Sequence, residues 1–407
     1  MVIKKISFDS INYIDVEGEL DLEKRILILS LEYNDFKKVF NFYYGELNEN
    51  YIKLKKYIKC FIINNNNILY TCSGCIWGFN EKNSIIKACT APIDLIIENR
   101  ILKDELHKVK ITELSFKTSY PLYTNFKFHI ALFDIKLDRR KKISISESFE
   151  DDKHYIYITI KSSTAISFKK MSKILYSIVE MFFLILGDIP KLESINLCDK
   201  VGTFNLYREL VDKYHQRDRI NPKNEIIGNI SPKSINSKTI RDFMQFRDKT
   251  NILFDMLMID MNNNGYVEIN NSSLLQLLEG IFKTIGPYKN ENFRAIMHYY
   301  FKINKSTKFV LSKRDKKMVN VGATSTKDYI FINKSVGHRN YLSHLDVKTN
   351  RDVFIKLENN YAYWKLSLCV RLYIMDFLNI SIDKKEVKEL LKSIDNWAVK
   401  NHLRYKV

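Results

Sequence analysis

The segment Ser335-Val-Gly-His-Arg-Asn-Tyr-Leu-Ser-His-Leu-Asp346 sets Arg339 and His344 five positions apart, as Arg-x4-His. These two residue types meet the needs of metal-independent phosphodiester cleavage in RNA. The 2′-hydroxyl attacks phosphorus, a base takes its proton, an acid protonates the leaving 5′-oxygen, and a cation steadies the phosphorane-like transition state. Histidine titrates near neutrality and suits the proton transfers. Arginine stays charged and grips phosphate in a fork, which suits the electrostatic role. On a helix the two positions lie about 140° apart and about 7.5 Å along the axis. Long side chains at that spacing converge on one edge without sharing a stripe, and a helix that is distorted or begins near Arg339 would serve as well. The spacing alone does not select this pair. Arg100 with His107 and Arg208 with His215 repeat the pattern with six intervening residues. The Arg208 pair, if helical, reads as a solvated polar stripe.

The neighbours of the motif have two readings each. His338 and Asn340 are candidate phosphate-binding side chains, with a surface role as the plain reading for His338, and Tyr341 suits core packing better. Arg339 has Asp346 and Glu358 as acidic partners if its role is an ion pair, and His344 would then be a satisfied interface histidine. Upstream, Lys305-Ser-Thr-Lys-Phe-Val-Leu-Ser-Lys-Arg-Asp-Lys-Lys317 mixes cations with Phe309. Lys313, Arg314, Lys316 and Lys317 could track an RNA backbone while Phe309 stacks a base; a solvated basic loop is the plain alternative. Arg139-Arg-Lys-Lys142 follows Asp138 at a turn and either adds attraction or guards a strand edge from pairing. Cys72-Ser-Gly-Cys75 has the spacing of half a zinc site or a redox pair, but no second half-site follows. Its surroundings read as a strand or hairpin, not as the helix N-terminus a redox pair needs. The chemistry calls for no metal and no cofactor.

The wider composition agrees with a polyanionic partner. The 407 residues include 65 Lys and Arg against 47 Asp and Glu, a formal charge of +18. Such an excess favours nucleic acid, or less often an anionic membrane surface, although a bias toward Lys, Ile and Asn runs through the whole chain. Hydrophobic residues make up 45%, enough for a substantial core. Six cysteines in a chain this long are no disulfide framework. The N-terminus lacks a long apolar stretch of the secretory kind. The apolar run Ile174 to Leu186 is too short to span a bilayer and contains Glu180. The expectation is a soluble, cytoplasmic protein with no membrane partner.

The elements that must position these residues fall into two textures. Residues 1–170 read as β: short runs such as Arg25-Ile-Leu-Ile-Leu-Ser-Leu31, Phe126 to Phe133, Lys141 to Ile145 and Tyr155-Ile-Tyr-Ile-Thr-Ile160 are separated by turn clusters such as Asn64-Asn-Asn-Asn67. A sandwich or curved antiparallel sheet is expected. Residues 171–240 read as a helical and loop connector. It holds a helix from the cap Ser172 to the stop Gly187, a helix over Phe204 to Arg217, and a Pro-containing loop over Asn221 to Lys233. Residues 241–407 read as helical: Arg241 to Met261, Ser273 to Ile285, Asn292 to Ile303, Tyr329 to His344, a long amphipathic helix over Asp352 to Asn379, and Lys384 to Lys400. Asn304 to Asp328 is expected to be a loop or mobile insertion. The fold class is therefore α+β, a β-rich N-terminal domain followed by an all-α bundle.

The motif segment resembles the active-site helix of HEPN proteins, in which a polar residue, here Asn340, follows the arginine. Their motif admits four to six intervening residues. Leu274-Leu-Gln-Leu-Leu-Glu-Gly-Ile-Phe282 resembles the first helix of those domains, with Glu279 inside an apolar run. Trp364 to Leu378 resembles the long helix after the motif. The whole layout is similar to the ApeA group of abortive-infection, anti-phage proteins, with Tyr70-Thr-Cys-Ser-Gly-Cys-Ile-Trp77 as the N-terminal point of likeness. The resemblance implies an endoribonuclease with RNA as substrate, tRNA among the candidates, released by a phage-derived trigger that the N-terminal domain senses. It also implies a homodimer that pairs two motifs. The alternatives are a non-catalytic RNA-binding or sensor protein with an inactive dimerisation domain, and a small-molecule or nucleotide transferase in the N-terminal domain. No Gly-rich phosphate loop supports the transferase.

Overall fold

The computed structural model describes residues 1–8, 12–22, 24–32, 58–75, 77–82, 85–90, 93, 95–98, 108–121, 133–150, 153–187, 191–200, 202–208, 235–262, 267–288, 290–321, 324–344, 353–382, 384–403 and 405. Strand-forming segments alternate in burial. In β3 (Ile26–Glu32), Leu27, Leu29 and Leu31 turn inward while Ile28, Ser30 and Glu32 turn out, the period of two that a sheet with one covered face requires. β4 (Ile58–Asn64) and β5 (Leu69–Cys75) instead bury three residues in a row, 60–62 and 70–72, and β1 (Val2–Ser7), β2 (Ile14–Asp21), β6 (Trp77–Lys82), β7 (Ile85–Thr90) and β8 (Leu95–Glu98) complete this part of the sheet. It continues through β9 (Lys110–Pro121), β10 (Phe133–Lys136), β11 (Lys141–Glu150), β12 (Lys153–Ser167), β13 (Lys191–Cys198) and β14 (Thr203–Arg208).

These strands join one antiparallel sheet in the order β10-β11-β12-β9-β13-β14-β8-β5-β4-β1-β2-β3-β7-β6. Register is set by facing isoleucines: Ile143 lies opposite Ile160 and Ile145 opposite Ile158, all four fully buried. Each such side chain contributes about 2 kcal/mol through apolar burial. The basic turn Arg139 to Lys142 belongs to the hairpin of β10, an edge strand. Asp138 accepts the N–H groups of Arg140 and Lys141, and Asp134 pairs with Lys142 at 2.6 Å. That placement fits the reading in which charge guards an edge.

Several segments differ from the sequence reading. Thr203–Arg208 is strand β14, not the start of a helix, because Phe204 and Leu206 are buried with half-buried Asn205 between them. Residues 209–217 of that expected helix, the loop 221–233 and residues 126–132 lie outside the described residues. Because β13 and β14 sit between β9 and β8, the sheet runs on to Arg208, past the boundary expected at residue 170. The first helix, α1 (Phe168–Leu186), begins four residues before the expected cap; Ser172 lies inside it and donates to the Lys169 carbonyl. Its end is as expected: Gly187 takes a left-handed conformation, φ 77°, and its N–H donates to the Phe183 carbonyl at 2.8 Å.

The remaining helices are α2 (Ser237–Asn262), α3 (Val267–Ile285), α4 (Phe293–His298) running into a π turn (Tyr299–Ile303), α5 (Ile330–His344), α6 (Leu357–Phe377) and α7 (Lys384–Lys400). Helix α6 packs on α3, and α3 also meets α2 and α5. Helix α6 was expected to be amphipathic; it is buried on nearly every face instead. Its two interior cations are each satisfied. Lys365 donates to the Val310 carbonyl and pairs with Asp395 at 2.9 Å, while Arg371 donates to the Leu184 and Ile185 carbonyls at the end of α1. One apolar core lies under β1–β8. A second runs from β9–β14 through α1 into the helices.

The expected loop 304–328 is a packed segment. Buried Asp315 accepts from Ser312, Tyr361 and Tyr405, and β15 (Met318–Asn320) pairs with β16 (Lys327–Tyr329). Among the described residues no helix is long and apolar enough to cross a membrane. The molecule is thus α+β, a large antiparallel sheet combined with seven helices among the described residues.

Candidate functional site

Helix α5 carries the motif, and its sequence explains its seating. Phe331, Ile332 and Ser335 are buried, and Ser335 donates to the Phe331 carbonyl. Lys334 is buried as well, with Glu358 at 3.1 Å and the Val353 carbonyl at 2.9 Å as partners. Residues 330–335 are buried on every side of the helix, and further along it Arg339 is half-buried while Asn340 is exposed. The helix starts at Ile330, so it neither begins nor breaks near Arg339. His344 is its last residue; the side chain of His344 lies outside the described residues.

Of the acidic partners suggested by sequence, Glu358 does not anchor Arg339. Asp346 lies outside the described residues, and Glu358 serves Lys334. Its Nη2 donates to Glu279 of α3 at 3.1 Å, and its guanidinium lies 5.8 Å from the Phe293 ring. The Nε–H is buried without a hydrogen-bond partner among the described residues. Nη1 makes only a long contact, 3.4 Å, with the exposed Asn340 amide oxygen. The side chain keeps 27% exposure, so the group is held on one side and open on the other. Glu279 also accepts from Lys283 at 2.6 Å. Burial opposes ionisation of Glu279, but Lys283 and Arg339 outweigh it and hold the carboxyl below its ordinary range.

The other expected contacts divide. His338 is 2% exposed and packs 5.7 Å from the Phe354 ring, so it faces the core and not a phosphate. Tyr341 is half-buried. Lys313 and Lys317 are exposed and Arg314 and Lys316 half-exposed. Their segment meets the start of α5, where Ile330 N–H donates to the Lys317 carbonyl and Phe331 N–H to that of Asp315. Nine residues of helix, about 13 Å of rise, separate that end from Arg339. The fold therefore places these cations at one end of α5 and the motif toward the other. Arg100, His107 and His215 lie outside the described residues.

Sequence reading passed over a second polar cluster. Arg294, His298 and Lys302 all converge on Asp328, at 2.9, 2.7 and 2.8 Å, and Arg294 also donates to Asn333 on α5. Burial opposes ionisation of Asp328, but Lys302, His298 and the Tyr329 N–H together keep its carboxyl below the ordinary range. The signal was present as cations at i, i+4 and i+8, the spacing of one helix face.

Cys72 and Cys75 lie on β5, fully buried beside Cys60, whose Sγ is 3.8 Å from that of Cys75. Within the pair the Cys72 thiol is pushed up, its hydrogen bond with Cys60 outweighed by burial and by Cys75, which disfavours the thiolate a redox pair needs. Among the described residues no group of three or more His, Cys, Asp or Glu side chains could hold a metal ion.

Comparison with known proteins adds little to this geometry. No family model and no curated protein matches the chain. Among solved structures the chain is similar to the Bacillus subtilis inhibitor of motility, MotI/DgrA, with 8% identity over 42% of this chain and 92% of that one. The TM-score is 0.14, too low to carry an argument about fold or function.

Proposed function

We propose that the chain is a metal-independent endoribonuclease of the HEPN type, acting against phage by abortive infection. Arg339 and His344 are its catalytic pair. One observation carries this reading: Arg339 is held by Glu279 and still reaches solvent, on the same helix that ends at His344. A guanidinium fixed in advance can meet the charge of a transition state without reorganising at the moment of reaction. His344 moves the proton at the 2′-oxygen or the leaving 5′-oxygen. RNA is the substrate, with tRNA among the candidates, and the expected assembly is a homodimer that brings two motifs together.

A second reading is a non-catalytic RNA-binding module, and the Glu279 ion pair favours it, because a carboxylate 3.1 Å from the guanidinium competes with phosphate. The separating experiment incubates the purified chain with total RNA in EDTA, beside His344→Ala and Arg339→Ala. Cleavage that leaves 2′,3′-cyclic phosphate ends, lost in both variants while their melting curves match the parent, is the expected result. RNA binding without cleavage, in a parent chain taken from phage-infected cells, would replace the nuclease with the binding module.

A further inference from the structure

The π turn after α4 is the starting point. In an unbroken α-helix, eight residues rotate through about 800°, leaving Lys302 about 80° from Arg294. Here the Asn304 N–H donates to the Tyr299 carbonyl, an i to i+5 bond at 2.8 Å. The wider π turn winds less per residue and swings Lys302 back toward the line of Arg294 and His298. Such turns occur frequently at functional sites. The result is three basic residues whose backbone positions lie on one line, about 6 Å apart along the axis, and whose charged ends gather on a single carboxylate. Asp328 is 2% exposed, whereas side-chain exposures of 29% for Arg294, 36% for His298 and 29% for Lys302 leave each able to meet a ligand. Lys302 also sits 4.6 Å from the Tyr329 ring. One buried negative charge holds two permanent cations and a histidine, so the strip keeps net positive charge toward solvent. The exposed Lys327, beside Asp328, adds to it.

The strip is tied to the motif helix at two places. Arg294 donates to Asn333 of α5 at 3.1 Å, and the preceding residue, Phe293, lies under the Arg339 guanidinium. Basic side chains therefore follow one another from Arg339 to Arg294, His298 and Lys302. This basic patch, continued by Arg339, offers more donors than one small anion can occupy, and a nucleic-acid backbone supplies successive phosphates to meet them.

We infer that Arg294, His298 and Lys302, positioned by Asp328, form a phosphate-binding strip that seats the backbone of an RNA strand leading to Arg339. The inference rests on the proposed reading of the motif and supplies its substrate track.

The test uses the full chain and a short fluorescent 2′-O-methyl oligoribonucleotide, which lacks the attacking hydroxyl and so reports binding alone. Affinity is followed by anisotropy over a series of salt concentrations for the parent, Arg294→Gln, Lys302→Gln, and Lys384→Gln as an exposed control on α7. The expected slope of log affinity against log salt falls by about 0.7 for each phosphate contact removed from a single strand. It falls in the first two variants only. Lys302→Arg keeps the charge and retains the parent slope; if it loses as much as Lys302→Gln, folding and not charge is responsible and the strip is overturned. Parent-like slopes in both Gln variants, or no binding by the parent at low salt, also overturn it. Cleavage of unmodified RNA is assayed in parallel. Cleavage with unaltered slopes removes the strip and leaves the nuclease; reduced slopes without cleavage keep the strip and remove the nuclease.

Discussion

At Arg339 two demands compete for one guanidinium. Glu279 fixes it, and catalysis asks it to receive phosphate. The first serves the second only if the carboxylate holds the group without neutralising its open side, and Lys283 on the same carboxylate shares that charge. Glu279→Gln keeps an acceptor oxygen for Arg339 and removes the charge. If Glu279 fixes the arginine, the substitution lowers kcat/KM for RNA cleavage by about tenfold, or about 1.4 kcal/mol. A rise in activity would instead identify Glu279 as an inhibitory competitor. The same variant has a signature in stability. The folded Glu279 carboxyl sits below its ordinary value, so its contribution is fully present above about pH 4.3 and is lost as pH falls through the lower folded value. Thermal melting of the parent should decline across that acidic window, and the decline should be shallower in Glu279→Gln.

The element that matters most is α5, whose inward face includes a lysine. Lys334 and Glu358 are both nearly inaccessible, and removing one leaves the other charged and buried. Lys334→Met is expected to cost about 3–5 kcal/mol, whereas Lys334→Met with Glu358→Gln recovers most of that loss. Urea unfolding of both variants checks this; a double variant no more stable than the single would show that the lysine acts through packing alone. The pair also joins α5 to the start of α6, since Glu358 accepts the Ile355 N–H and Lys334 reaches the Val353 carbonyl. The helix that presents Arg339 is thereby braced from its buried side.

Across the whole molecule, α1 is the joint between sheet and helices. It packs on β12 and β9, meets α2 through the buried pair of Glu180 and Arg247 at 2.7 Å, and has its last carbonyls capped by Arg371 of α6. Free carbonyls at a helix end need partners, and a buried arginine meets two of them at once with favourable charge. Arg371→Met removes both and should cost about 3 kcal/mol, read as a lower urea midpoint. A midpoint unchanged within error would mean that the junction holds by apolar packing alone.

Much of the local plan was legible in the residues themselves. The alternation Leu27, Leu29, Leu31 announces a strand, Gly187 a helix end, and the apolar spacing before Arg339 a helix that carries the motif, because these depend on neighbours within one or two turns. Other features depended on segments far apart in sequence. Glu279 is sixty positions from the arginine it holds, and Asp328 gathers three cations from a segment some thirty positions earlier. Thr203–Arg208 became a strand because a place existed for it between β13 and β8. His338 and Arg339 are adjacent, yet one faces Phe354 and the other Glu279 and Phe293. Sequence by itself determined the chemistry available and the local periodicity of most elements. Only the tertiary structure decided which charges meet and which face of α5 turns inward, because burial and ion pairing are set by packing among distant segments and not by the order of residues along the chain.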